Sequence, residues 1–320
     1  MEDFVIGIDL GGTNLRMAAV NLQGAILHRI HHPVESHRGR DAVLNDIISS
    51  AETLAKQVIS QADRFLAVGL GLPGLICPLE GIVTQSPNLP GWVDFDVRTP
   101  VENTLGVPLV IENDANSFAL GEFWQGAARG IRHFCALTLG TGVGGGIVLN
   151  GELWSGADGM AGEVGHMIIE SEGHPCTCGS RGCLEQYASG TAIRRLALEA
   201  VTDHEKTLLS TGPEGLTALD VFEAAKQGDH AALKIFQTMG YFLGIGLTNL
   251  VNFLNIDMIV LGGKVSNAWE FFAPKAEQTL RERAFKVPAR RVRIVKSELG
   301  DDGGLVGAAY LAFRKVGQIG

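Results

Sequence analysis

The sequence predicts an α/β protein of two similar lobes, and three observations carry that reading. Apolar strand-like runs alternate with helix-periodic stretches along the chain, as they do in α/β architectures. A strand–glycine turn–strand unit occurs twice, once near the start and once in the middle. The length, 320 residues, exceeds one typical domain and suits two.

Val5–Ile8 is apolar and leads into Asp9-Leu10-Gly11-Gly12-Thr13-Asn14; Leu15–Val20 follows, closed by Asn21-Leu22-Gln23-Gly24. The echo is Cys135–Leu139, then Gly140-Thr141-Gly142-Val143-Gly144-Gly145-Gly146, then Ile147–Leu149 closed by Asn150-Gly151. Both read as hairpins, and one copy per half predicts two lobes facing each other. Between the copies the spacing predicts a helix over Ala42–Ala62, buried strands at Phe65–Leu72 and Leu109–Ile111, and a helix over Ala115–Trp124. After the second copy come helices over Thr191–Val201, Ala218–Gln227 and His230–Phe253. The strand Ile256–Leu261 then runs into Gly262-Gly263, and the strand Val292–Val295 precedes a closing Gly/Ala-rich helix over Gly303–Lys315.

Hydrophobic residues make up 46% of the chain, enough for large cores without disulfide staples. The net charge is −9, and no Lys/Arg run exceeds Arg290-Arg291, which argues against a nucleic-acid partner. An anionic ligand must then be held by backbone N–H groups and a metal ion. Met1–Phe4 runs directly into a strand without a leader-like segment, and no apolar stretch reaches about 18 residues. The expectation is a cytoplasmic protein without membrane contact. Cys77 and Cys135 stand alone in apolar surroundings, whereas Cys176, Cys178 and Cys183 crowd together, which in a cytosolic chain favours a metal over a disulfide.

Gly69–Gly74 and Gly140–Gly145 match G-x-G-x-x-G, but a dinucleotide site needs the glycines to open a helix. Pro73-Gly74 marks a turn, and Ile147–Leu149 followed by Asn-Gly is a hairpin signature, so a Rossmann reading is rejected. Glycine hairpins bind phosphate by another route: without side chains, backbone N–H groups approach the oxygens closely. Two such hairpins with polar tips at Thr13, Asn14 and Thr141 would clamp a triphosphate, and Asp9 at a strand end would hold Mg²⁺ through water. In Glu112-Asn113-Asp114, where a buried strand meets a helix, Asn113 would hydrogen-bond a polyol and Asp114 would accept a hydroxyl proton. The plainer alternative is that Asp114 caps the helix. The three clustered thiols need a fourth metal ligand, and spacing leaves His166 and His174 both open. Glu163 and His166 before the cluster and Glu185 after it are suited to sugar hydroxyls.

These segments together resemble the ROK family of sugar kinases and repressors. The resemblance runs through Asp9–Asn14, Glu112–Asn116, Leu139–Gly146, Gly162-Glu163-Val164-Gly165-His166, Cys176-Thr177-Cys178-Gly179, Gly182-Cys183-Leu184-Glu185 and Leu261–Gly263. It implies a two-lobed actin-like, ribonuclease H-like fold with the active site in an interlobe cleft, a smaller lobe of residues 1–117 with 304–320, and a larger one of 118–303 that carries the zinc loop and a dimerisation surface. It implies Asp114 as catalytic base, with Gly74, Asn88, Asn113, Glu163, His166 and Glu185 around the sugar. His166 becomes the fourth zinc ligand with Cys176, Cys178 and Cys183. Asp9, Gly11, Gly12, Thr13 and Asn14, together with Gly140, Thr141, Gly142 and Gly144, would hold ATP phosphates and Mg²⁺, with Gly262 and Gly263 near the nucleoside.

The implied reaction is transfer of the ATP γ-phosphoryl group to the 6-hydroxyl of a hexose. Ser86–Trp92 resembles the family's glucokinases, while N-acetylglucosamine, N-acetylmannosamine, fructose and allose remain alternatives. Lys264 departs from the small or apolar residue common there. A homodimer or homotetramer is also implied. The rival class is a sugar-sensing repressor, for which a strand starting at Phe4 leaves no room for a preceding helix-turn-helix. A filament-forming or chaperone-like ATPase would have no use for the thiol cluster.

Overall fold

The computed structural model describes residues 3–58, 64–86, 88–202, 207–209 and 215–319. The chain divides into two compact units, residues 1–131, 146–162 and 297–320, and residues 132–145 and 163–296. The expected lobe boundary at 117/118 falls inside a continuous helix that lies wholly in the first unit.

In chain order β1 (Phe4–Leu10), β2 (Asn14–Asn21) and β3 (Ile26–Pro33) form an antiparallel meander, followed by α1 (Arg40–Val58) and by β4 (Phe65–Leu72), parallel to β1. The end of the helix expected over Ala42–Ala62 lies outside the described residues. β5 (Leu75–Cys77), β6 (Ile82–Gln85) and β7 (Val93–Asp96) make a small antiparallel sheet. Then come α2 (Arg98–Leu105), β8 (Leu109–Asn113), parallel to β4, and α3 (Asp114–Trp124). The second half has β9 (Phe134–Leu139), β10 (Val143–Leu149), β11 (Glu152–Leu153), α4 (Glu185–Ala188), α5 (Gly190–Thr202), α6 (Ala218–Lys226) and α7 (His230–Leu254). It closes with β12 (Met258–Gly262), α8 (Trp269–Arg283), α9 (Lys286–Arg291), β13 (Arg293–Lys296) and α10 (Gly303–Lys315).

One sheet runs β3-β2-β1-β4-β8 and the other β11-β10-β9-β12-β13. Both follow the order third-second-first-fourth-fifth, so the duplication expected from the paired glycine turns is present in the strand order. The unit boundary falls inside β10. Asn150 and Gly151, at φ 58° and 83°, form the turn between β10 and β11 that Asn-Gly predicts.

In the first sheet, alternation sends Phe4, Ile6, Ile8 and Leu10 to one face, where they pack with Val43, Ile47, Ala51 and Leu54 of α1. Val5, Ala18, Val20 and Ala67 face the other way, onto Leu305, Ala309 and Phe313 of α10. With both faces covered, β1 and β4 read as unbroken apolar runs. The glycines of the α10 face set the closeness of that packing. A Cβ on Gly69 would overlap the Ala308 carbonyl, and one on Gly7 would overlap that of Leu305. Gly69→Ala is therefore expected to cost about 1–3 kcal/mol, read as a lowered urea midpoint with unchanged slope. An unshifted midpoint would show that α10 gives way freely.

Among the described residues no helix is long and apolar enough to cross a membrane.

Candidate functional site

In the first unit the site residues gather at the strand ends of β1, β4 and β8. Asp9 is the penultimate residue of β1, and Arg16 stands directly opposite on β2. The Arg16 Nε lies 3.4 Å from Asp9 Oδ2, and its Nη1 donates to the Asp301 carbonyl at 2.8 Å. Burial pushes the Asp9 carboxyl up from its ordinary pKa, opposed by the Arg16 charge. The turn between β1 and β2 is tied by the Gly11 N–H donating to the Asn14 carbonyl at 2.8 Å, with Thr13 exposed at its tip. Asn14 donates from Nδ2 to Thr13 Oγ1 at 2.9 Å, and its Oδ1 faces His31 Nε2 at 3.1 Å. Asn88 packs over this turn: a Cβ on Gly12 would lie 3.2 Å from its Cβ. Pro87 before it lies outside the described residues.

At the end of β8, Asn113 is the N-cap of α3: its Oδ1 accepts from the N–H groups of Ala115 and Asn116 at 2.9 and 3.2 Å. Its Nδ2 donates to the Gly74 carbonyl at 3.3 Å, which joins those two expected sugar neighbours. The cap position thus belongs to Asn113 and not to Asp114, the first residue of the helix. The half-buried Asp114 carboxylate accepts from the Ala115 N–H at 2.9 Å. Asn113 has spent its carbonyl on the helix and one Nδ2 hydrogen on Gly74, which leaves the second Nδ2 hydrogen as its remaining donor.

In the second unit the turn after β9 is tighter than the glycine run suggests. It spans Gly140–Gly142, closed by the Gly140 N–H on the Gly142 carbonyl at 3.0 Å, while Gly144 already belongs to β10. The start of α5 holds this turn, with the Gly190 N–H on the Gly140 carbonyl at 2.7 Å and Thr191 Oγ1 on that of Thr141 at 2.8 Å. Glu185 Oε2 accepts the Val143 N–H at 3.0 Å, so this carboxylate lies against the same turn. Gly263, at φ 79°, packs so closely on Leu139 that no Cβ fits, which brings Gly262-Gly263 to the base of the turn. Lys264 is exposed beyond it.

The thiol cluster adjoins this turn, because Gly165 packs directly on the Val143 carbonyl. The ligating atoms of His166, Cys176, Cys178 and Cys183 all lie within 4.8 Å of one another. His166 Nδ1 is 3.6 Å from Cys176 Sγ, and Cys178 Sγ is 3.7 Å from Cys183 Sγ. Bonds of about 2.0–2.1 Å to nitrogen and 2.3 Å to sulfur in a tetrahedron give N–S and S–S edges of about 3.6 and 3.8 Å, so the donor set fits such a centre. His174 is elsewhere: its ring rests 5.4 Å from that of Tyr187, and its N–H donates to the Tyr187 hydroxyl at 3.0 Å. His166 keeps Nε2 free of the cluster, 3.8 Å from Glu163 Oε2. Burial pushes the Glu163 carboxyl up; His166 opposes the shift and Glu185 reinforces it, so these three expected sugar ligands share one field.

Two residues of this site were given no role by the sequence reading: Arg16, which it did not name, and the buried Glu112, which it named only as part of the Glu112–Asn116 motif. Hairpin register could have found the first, since the pairing that sets Leu10 against Leu15 sets Asp9 against Arg16.

The chain matches the ROK family over residues 5–315. It is 37% identical to a glucokinase of Halalkalibacterium halodurans, covering 97% of this chain and 95% of that protein. A Streptomyces griseus ROK glucokinase solved with glucose and AMPPNP superposes with a TM-score of 0.83 at 33% identity, covering 97% of this chain and 99% of that one. A ROK transcriptional regulator, a homologue of the E. coli MLC protein, superposes with a TM-score of 0.88 at 29% identity, covering 97% of this chain and 77% of that one. The fold is that of the actin-like sugar kinases.

Proposed function

The chain belongs to the ROK family, and on that premise we propose that it is an ATP-dependent hexose kinase, transferring the γ-phosphoryl group to the 6-hydroxyl of glucose. The observation that carries the reading is the half-buried Asp114 carboxylate at the β8–α3 corner, beside an Asn113 already fixed as the helix cap. Asp114 accepts the proton of the 6-hydroxyl as the new O–P bond forms and the bond to the ADP oxygen breaks. Asn113, Glu163, His166 and Glu185, with Gly74 and Asn88, are the proposed sugar-binding residues. Asp9 and the turns Gly11–Asn14 and Gly140–Gly142, with Gly144, Gly262 and Gly263, are proposed for the nucleotide. Mg²⁺, when bound, supplies positive charge to the phosphates near Asp9. A structural Zn²⁺, when bound by His166, Cys176, Cys178 and Cys183, stiffens the segment that carries Glu163 and Glu185.

We also place the protein in the cytoplasm, in accord with its free thiols, and as a homodimer or homotetramer, in accord with the exposed Phe253, Phe285 and Val287 of the second unit. The lobes of 1–117 with 304–320, and of 118–303, stay as the proposed functional division.

An ADP-release assay across glucose, N-acetylglucosamine, N-acetylmannosamine, fructose and allose tests the substrate. Glucose is expected to give the highest kcat/KM. Release that ignores the sugar, or sugar-dependent DNA binding without turnover, would overturn the kinase reading.

A further inference from the structure

Glu112 is an unusual residue for its position. It is the penultimate residue of β8, only 5% exposed, and no ion pair joins it to a cation among the described residues. Its Oε1 accepts two hydrogen bonds, from the Asn113 N–H at 2.9 Å and from Asn116 Nδ2 at 3.0 Å. β4 presents Gly71 opposite it, a residue without a side chain. Asn116, itself 1% exposed, has a buried Oδ1 that accepts no hydrogen bond among the described residues. A buried carboxyl group that touches the strand end and the first turn of α3 spans the corner on which Asn113 and Asp114 sit.

We propose that Glu112 is a positioning residue for phosphoryl transfer: its carboxyl group, paired with Asn116 and holding the Asn113 N–H, fixes the β8–α3 corner that presents Asp114. The inference rests on the reading of Asp114 as the base. Glu112 does this as a carboxylic acid. A buried anion without a cation is costly. Burial raises its pKa, opposed by the hydrogen bonds from Asn116 and Asn113. A protonated carboxyl is also a donor in a corner where the buried Asn116 Oδ1 accepts no hydrogen bond among the described residues. A neutral group two residues from Asp114 adds no second negative charge beside a base that must receive a proton while phosphate oxygens are near. Acid and amide pair here as two amides would, so glutamine is the conservative replacement and alanine the disruptive one.

The test compares wild type, Glu112→Gln, Glu112→Ala and, in parallel, Asp114→Asn. Glu112→Gln is expected to keep kcat and the glucose KM within about threefold. Glu112→Ala is expected to lose about 10²-fold in kcat through misplacement of Asp114, with the KM for MgATP little changed and far-UV circular dichroism intact. Wild type should show a protonated-carboxyl infrared band at neutral pH that Glu112→Gln lacks. The proposal is overturned if Glu112→Gln falls as far as Glu112→Ala, if Glu112→Ala keeps wild-type kcat, or if the band is missing. Should Glu112→Ala not fold, the glutamine variant and the infrared band decide. If Asp114→Asn keeps its kcat, the base reading itself has failed, which the Glu112 series alone does not imply.

Discussion

Asp114→Asn is expected to lower kcat about 10³-fold while leaving glucose affinity within about threefold. The variant is nearly isosteric, and its amide oxygen can still accept the Ala115 N–H that the carboxylate now takes. The helix start does not depend on it, since Asn113 supplies the cap to Ala115 and Asn116. What is lost is the ability to take a proton from the attacking hydroxyl. Phosphoryl transfer has a loose transition state, so most of the catalysis lies in positioning and charge stabilisation. Removing the base should therefore leave a residual rate well above that in water rather than none. Steady-state kinetics with calorimetric glucose titration separate the two effects. A variant retaining most of its kcat would sink the assignment; one losing glucose binding as well would show that residue 114 holds the sugar more than it serves the chemistry.

What the sequence disclosed depended on how local the physics is. The paired hairpins were legible because glycine and polar tips interrupt apolar runs, and the structure returns both, along with the shared strand order. The helices with strong apolar spacing were found to within a few residues: the expected His230–Phe253 is α7 at His230–Leu254, and Gly303–Lys315 is α10 itself. β3 was not read because it is an edge strand. His28, Arg29 and His31 are exposed along it, and an edge strand need not alternate cleanly. α8 escaped because Pro274 sits inside it and reads as a breaker.

The site was partly legible. Spacing gave three thiols and two candidate histidines, and no local rule separates a histidine two residues before the cluster from one ten before it. The fold separates them through contacts distant in sequence, with His174 laid on Tyr187 and His166 turned to Cys176. The glycine run at 140–146 looked like one turn, whereas only its first three residues make the turn. Gly146 serves packing: a Cβ there would strike Ala119 and the Ala115 carbonyl of α3. Such close approaches cannot be seen in a sequence, because nothing local marks where a helix will come to rest.

Zinc removal is the other large effect. A purified sample is expected to hold about one zinc per chain by mass spectrometry, and Cys178→Ser or exhaustive chelation should abolish it. Burial and the neighbouring thiols push Cys183 up to about 12. A divalent ion makes thiolates of such groups, and protons compete for the same atoms, so occupancy should fall as the pH is lowered. Beyond the ligands, little regular structure holds this segment. Residues 167–184 contain only two isolated bridges, Ile168 with Cys183 and Pro175 with Arg181. Loss of the metal should therefore loosen the path from Glu163 to Glu185, lowering Tm by roughly 10 °C and weakening glucose binding more than ATP binding. Cys135→Ser is the control, a buried thiol outside the cluster whose loss should leave the zinc content unchanged. A zinc-free protein that melts like wild type and binds glucose undiminished would separate the cluster from the sugar site altogether. The three groups assigned to the sugar would then owe their placement to the fold of the second unit alone.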